Sequence, residues 1–306
     1  MTTTRTAGKR GRLPAKRPGE RFAIAYVSDY ATTPLPAAVY PVDVSAGITD
    51  WGMLGNGPDP SVPQHPDGCG DCTFAGRQHY RMAKAAAGHE AEGWEPAAEL
   101  VAEYFAYDGG QDQGANIADL LLYWYKAGKI LAFAPVDHTD PAAVDAAMAA
   151  FHGIYAGVNL TDDANALFDD GKPWTVGGGE LADPNEGHCI VKVTADGKGC
   201  DGWVTWGARQ DSDEAWTSAC LDEAWVIITS EDADAASLDI DALRADIDAL
   251  HGTGGNGTAP APEPVPVPAP SPEGMLAELV AHIRNVAADA GRGIEDVVGW
   301  LEEKGL

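Results

Sequence analysis

The stretch Asp67–Gly76, DGCGDCTFAG, decides how the rest of the chain is read. It sets Cys69 and Cys72 three residues apart, behind two glycines and in front of a run that reads as helix. Three chemistries use such a spacing: half of a zinc site, a dithiol redox pair, or a cysteine nucleophile with a structural neighbour. A nucleophilic cysteine works as a thiolate, which a helix N-terminus, a facing imidazole and an electropositive, partly open site all favour. Cys72 meets the first condition. The run that follows it, CTFAGRQHYRMAKAAAG, is Ala-rich and has no proline.

The imidazole must come from another part of the chain. Among eight histidines, His188 is best placed, because in NEGHCIVKV it follows a glycine and opens a β-rich run. His79 lies on the same helix as Cys72 but two turns along, roughly 10 Å up the axis, and is set aside. His65 and His138 fall in loops and stay open as alternatives.

Outward from this stretch, helices come first and strands second. EPAAELVAEYFAY and ANIADLLLYWYKAG read as amphipathic helices ended by Gly109 and Gly128, and PAAVDAAMAAF as a fourth helix capped by Asp140. GIYAGVNL, HCIVKVTADG, GWVTWGA and EAWVIIT are short β-rich runs between Gly and Asp turns. That order predicts an α+β domain with segregated layers over residues 35–230. Residues 1–34 form a basic, partly extended arm, with seven Lys/Arg and one acid in the first 21, expected to be a solvated tail. Residues 231–251 carry Ile240, Leu243, Ile247 and Leu250 as a short helical seam. A Gly/Pro-rich linker over 252–272 leads to a helical hairpin over 273–306, too small to fold unaided and expected to dock on a partner or self-associate.

A formal net charge of −27 over 306 residues argues against nucleic acid or anionic membrane as partner of the main body. No apolar run has the length of a membrane span, and no apolar stretch of the signal-peptide kind follows the basic start, so the chain is expected in the cytoplasm as synthesised. Five cysteines, an odd number without a dense framework, fit a reducing compartment.

Taken in order, GCGDCTFAG, EGHCIVKV and VTWGA resemble the papain-like cysteine peptidases. Together with WGMLGN (Trp51–Asn56), GDCT (Gly70–Thr73) and DQGAN (Asp112–Asn116), they look closest to a divergent branch found in phages and bacteria. The resemblance covers about two thirds of the chain. It implies that Cys72 is the nucleophile, His188 the general base, and Cys69 the structural cysteine. It further implies an oxyanion site made by the Cys72 N–H and a side-chain amide. Pro66 stands where papain has that amide, leaving Asn56 or Gln64 to reach in. Val204 stands where papain has the asparagine that orients the histidine, so Thr205, Asp201 or Asn185 are the candidate substitutes. Asp112, Gln113, Asn116 and Trp206 are candidate cleft residues, the first three also reading as a turn and helix cap.

The implied activity is hydrolysis of an amide bond in a peptide or peptidoglycan-like substrate through an acyl-thioenzyme, with no metal or organic cofactor. Phage origin and incorporation into a particle go with the resemblance. The rival expectation is a non-catalytic papain-like block of a virion or other assembly, docked through its C-terminal helices. Zinc stays open through Cys69, Cys72, Cys189 and Cys200, which form C-x2-C and C-x10-C pairs. The blander reading makes Cys189, Cys200 and Cys220 small buried hydrophobes, and Trp203, Trp206 and Trp225 core aromatics.

Overall fold

The helix that begins at Cys72 is buried all round from Cys72 to Tyr80, with Arg77, Gln78 and His79 included, so it needs protein on every side. The strand-rich half of the chain supplies one of those sides. The computed structural model describes residues 5–14, 24–89, 95–177, 187–235 and 237–252. The helical half holds α1 (Val27–Tyr30), β1 (Val42–Asp43), α2 (Cys72–Ala86), α3 (Ala97–Asp108) and α4 (Ile117–Lys126). After it come β2 (Ala132–Val136), α5 (Pro141–Phe151), β3 (Ile154–Val158), α6 (Ala164–Asp169), β4 (His188–Ala195) and β5 (Cys200–Thr205). The last described elements are β6 (Ala208–Asp213), α7 (Glu214–Cys220), β7 (Leu221–Ile228), α8 (Ser230–Ala235) and α9 (Ile240–Gly252).

The strands form an antiparallel sheet in the order β2-β7-β3-β4-β5-β6, with β1 added to the end of β4. Helix α2 lies against β3 and β4. Gly76 makes that approach possible, because a Cβ there would stand 3.0 Å from Cys189 Sγ and 3.1 Å from the Tyr155 ring. The Tyr155 hydroxyl in turn donates to the Thr73 carbonyl at 2.6 Å. Phe74, Tyr80, Trp124, Tyr155 and Ile190 are buried at this seam. On β4, Lys192 is buried between Asp145 at 2.6 Å and Asp201 at 2.8 Å, an ion cluster in which each charge has a partner. This is the α+β architecture expected from the order of helices and strands.

Besides the short helices α1, α6 and α8, three elements were not evident in the sequence. Strand β2 contains Pro135, which a sheet tolerates at an edge, and β2 is an edge strand. Strand β6, ARQDSD, is polar after Ala208, so only its pairing with β5 reveals it. Helix α7 is seven residues long and starts at Asp213, whose carboxylate accepts from Trp216 N at 2.7 Å.

Two expectations are corrected. Residues 5–14 are not a solvated tail but run along the folded domain. The seam over 231–251 is two helices, and α9 buries Leu243 and Ile247 fully against the domain, with Tyr30 OH donating to Asp246 at 2.6 Å. The linker and hairpin beyond α9 lie outside the described residues. Replacing Leu243 or Ile247 by Ala should lower unfolding stability by about 2–5 kcal/mol, read from denaturant midpoints. Unchanged midpoints would mean that α9 does not belong to the domain core.

Candidate active site

Cys72 is the first residue of a helix of 15 residues, so its sulfur lies at the positive end of the helix dipole. The loop before it is tied down by side chains. Asp112 Oδ1 accepts from Gly70 N at 2.7 Å and from the Tyr104 hydroxyl at 2.9 Å. Asn56 Nδ2 donates to the Cys69 carbonyl at 3.2 Å, and Cys69 N donates to Gly55 O at 2.9 Å. The adjacent Asp71 carboxyl is fully buried, and burial pushes its pKa well above the carboxylate range. Its coulombic effect adds to burial in raising the neighbouring Cys72 thiol.

His188 opens β4 and pairs with Val158 of β3. Its Nε2 meets Thr205 Oγ1 at 2.6 Å, and its ring stacks on Trp206 with centroids 4.6 Å apart. Trp206 and Gly207 form the two-residue turn between β5 and β6, with φ of 44° and 72°. Positive φ at both positions is what such a turn requires, and a tryptophan pays a steric cost there. The cost goes with a ring laid flat on the imidazole. The other ring nitrogen, Nδ1, is buried without a hydrogen-bond partner. With Nε2–H donating to Thr205, Nδ1 is the lone-pair nitrogen, a tautomer assigned from these contacts. The Cys72 sulfur is approached by the backbone N–H of Cys189, the residue after His188. No hydrogen bond joins the sulfur to Nδ1.

Both groups are sealed from water, at 1% exposure for Cys72 and 0% for His188. Part of the seal is the N-terminal arm. Lys9 N donates to Asn56 O at 2.7 Å, Ala115 N to Gly11 O at 2.9 Å and Leu13 N to Ala115 O at 3.0 Å, on the helical side. On the sheet side Arg12 N donates to Gly187 O at 3.0 Å, and Trp206 Nε1 to Lys9 O at 3.3 Å. The Gly11 N–H also approaches the Cys72 sulfur. Gly11 is forced by space. A Cβ there would fall 1.8 Å from Gly70 O, as one on Gly114 would from Gly11 O. The arm thus adds as an extended strand between the two walls of the cleft, in the manner of a bound peptide.

Burial sets the charge state of the closed site. It pushes the Cys72 thiol up to about 12, against the opposing pull of the Cys189 and Gly11 N–H groups and Arg12. It drives His188 well below the usual imidazole range, helped by Arg10 and Arg12. Both groups are neutral under the arm, so this closed form holds no ion pair.

The other expected residues sort as follows. Thr205 is with His188. Trp206 lines the same spot, while Asp112 and Asn116 hold its surroundings. Asn116 caps α4 by accepting from Asp119 N at 3.2 Å and donates to Pro14 O at 2.7 Å. Asp201 is not at the imidazole, being taken by Lys192 and by the Thr217 hydroxyl at 2.8 Å. Gln64 and Gln113 are exposed, and Asn185 lies outside the described residues. All five cysteines are free. Cys69, Cys189 and Cys220 are buried, but Cys200 is exposed, contrary to the expectation of a small core residue. Among the described residues no three cysteines come together as a metal-holding group. Among the described residues the group able to hold a metal is His89, His152 and Asp232, and Asp232 is already paired with Lys84 and Thr229. Sequence reading missed Gly11, Arg12 and Glu223. The one available signal was a pair of glycines, Gly8 and Gly11, interrupting a basic run.

No protein-family model matches the sequence, and no curated protein matches it. Among solved structures, xylellain, a cysteine protease from Xylella fastidiosa, matches with a TM-score of 0.51 and 14% identity, over 75% of this chain and 99% of that one. The fold is that of a papain-like cysteine peptidase. On this papain-like frame the helix start and the strand start expected to carry the thiol and the imidazole are neighbours.

Two outcomes follow from this geometry. Iodoacetamide should label Cys72 slowly in the native chain at pH 7, and at least tenfold faster after Gly11→Val, read by peptide mass spectrometry; equal rates would mean that the arm does not cover the thiol. The second concerns His79, which burial lowers to about 4. Its neutral form is stabilising in full above pH 6.5, where the unfolded ring is also neutral. As pH falls toward 4 the unfolded ring takes a proton that the buried ring refuses, costing about 3 kcal/mol over that window. Denaturant midpoints at pH 7 and pH 4.5 should therefore differ less in His79→Gln than in the native chain, and an unchanged difference would contradict the burial.

Proposed function

We propose that the chain is a latent thiol hydrolase that cleaves peptide amide bonds, with Cys72 as nucleophile and His188 as general base and acid. The observation that carries this reading is the division of labour on the His188 ring. Nε2 is fixed by Thr205, and Nδ1 is left unpartnered at the strand start that adjoins the Cys72 sulfur. A ring held in one tautomer with its lone pair unspent is what a base needs. Thr205 takes the place that the papain asparagine would have, one residue along from Val204.

Once the arm leaves, water and substrate reach the site and the burial penalty on charge falls. His188 Nδ1 takes the Cys72 proton and the sulfur attacks the substrate carbonyl carbon. The oxyanion is met by the Cys72 N–H at the first turn of α2. The C–N bond breaks, His188 returns the proton to the departing amine, and a thioester remains on Cys72. Water, deprotonated by His188, then attacks the thioester and releases the acid and the free thiol. Asn56, whose amide already serves the Cys69 carbonyl, acts first as a clamp on the nucleophile loop.

The test is hydrolysis of blocked dipeptide aminocoumarin amides by the full-length Gly11→Val chain. Activity should appear on opening the arm and vanish on adding Cys72→Ala or His188→Ala. Adding Thr205→Val should lower kcat about 10–100-fold with little change in KM, since it releases the ring rather than the substrate. An open-arm chain that hydrolyses no amide would sink the reading in favour of a non-catalytic block.

A further inference from the structure

The side chain that pins the arm, Arg12, sits in a site of its own. It is 1% exposed, an unusual place for a guanidinium. Its Nη1 donates to Glu223 Oε1 at 2.9 Å and to Asp222 Oδ2 at 3.0 Å. Its Nη2 donates to Asn159 Oδ1 at 2.7 Å and reaches Val158 O at 3.4 Å. Glu223 is itself buried, its second oxygen accepting from Trp225 Nε1 at 2.8 Å.

Two glycines wall the slot. A Cβ on Gly157 would fall 2.8 Å from Arg12 Cδ, and one on Gly187 would fall 2.6 Å from both Arg12 Nε and Nη2. The space is therefore cut to a planar guanidinium by backbone and closed by acceptors placed for its fork. A lysine ammonium would reach fewer of them. The slot also opens beside the chemistry, since Arg12 is the neighbour of Gly11, whose N–H approaches the Cys72 sulfur.

We infer that this acidic slot is a substrate subsite for an arginine side chain, adjacent to the residue whose carbonyl meets Cys72, and that Arg12 holds the enzyme closed by occupying it. The inference rests on the hydrolase reading for its substrate but not for its binding chemistry. A buried Glu223 without a cation would be a desolvated charge or a protonated acid, and burial does hold its pKa up even beside Arg12. Filling the slot with an arginine from either source relieves that cost. Arm and substrate therefore compete for one cation site, and release of the arm and selection of substrate are the same event.

The experiment uses the full-length Gly11→Val chain in two readouts. In the first, internally quenched peptides that carry Arg, Lys, Gln or Leu either immediately before or immediately after the residue at the scissile carbonyl are compared by kcat/KM. Arg should exceed Leu and Gln at least tenfold and Lys severalfold. Adding Glu223→Gln, which keeps the shape, should cut the Arg/Leu ratio at least tenfold. The second readout needs no turnover. A peptide of residues 7–13, AGKRGRL, should protect Cys72 from iodoacetamide at a concentration at least tenfold lower than the same peptide with Arg12→Leu. Glu223→Gln should erase that difference. Leucine substrates cleaved as well as arginine ones, with no response to Glu223→Gln, would overturn the subsite and leave the hydrolase standing. Absence of all cleavage together with arginine-dependent protection would overturn the hydrolase and leave the cation slot. Equal protection by the two peptides would overturn the slot whatever the activity.

Discussion

The closed form of this molecule depends on one buried cation. Arg12 is taken out of water, and the cost of that transfer is offset only because Glu223, Asp222, Asn159 and Val158 O surround its guanidinium. Removing one partner from such a group commonly costs about 3–5 kcal/mol, a large share of the stability of an ordinary domain. The backbone bonds of the arm to Asn56, Ala115 and Gly187 are each modest, and they become cooperative once Arg12 fixes the strand between the two walls.

Water exclusion links this anchor to the chemistry. The arm that places Arg12 also helps seal Cys72 and His188, and burial is the largest influence on both, raising the thiol and, with Arg10 and Arg12 adding to it, lowering the imidazole. The helix dipole of α2 and the N–H groups of Cys189 and Gly11 already favour a thiolate, but burial outweighs them. The ten-residue segment that carries Arg12 thus completes part of the burial that opposes ionisation. Thr205 and Trp206 hold the imidazole in place throughout, on a hairpin whose turn tolerates a tryptophan at positive φ.

Much of this frame was legible in the sequence because the signals were local. Cys72 could be placed at a helix start from the glycines before it and the alanines after it. His188 could be placed at a strand start from Gly187 and the β-branched run behind it. Thr205 was legible only as one of three candidates, and strand geometry explains the outcome. Asp201 lies on the same strand, but four residues away, on the order of 13 Å, where Lys192 claims it. The arm was misread because neither hydrophobic period runs through it. Its fit comes from what Gly8 and Gly11 lack and from acceptors on β7 more than 200 residues later, a match that no local pattern carries. Strand β6 was hidden for a related reason, its polar residues being satisfied by tertiary partners, Ser212 by Trp203 across the hairpin and Gln210 by the Lys172 carbonyl.

The account stands on the thiol of Cys72 and the ring of His188 forming a thiolate–imidazolium pair once the arm is displaced. The most direct measurement is the pH dependence of Cys72 alkylation in the full-length Gly11→Val chain, with and without His188→Ala. The pair predicts fast labelling already at pH 5–6, lost when the imidazole is removed. A rate that climbs only through the range of an ordinary thiol, near pH 8.5, and is indifferent to His188 would contradict it.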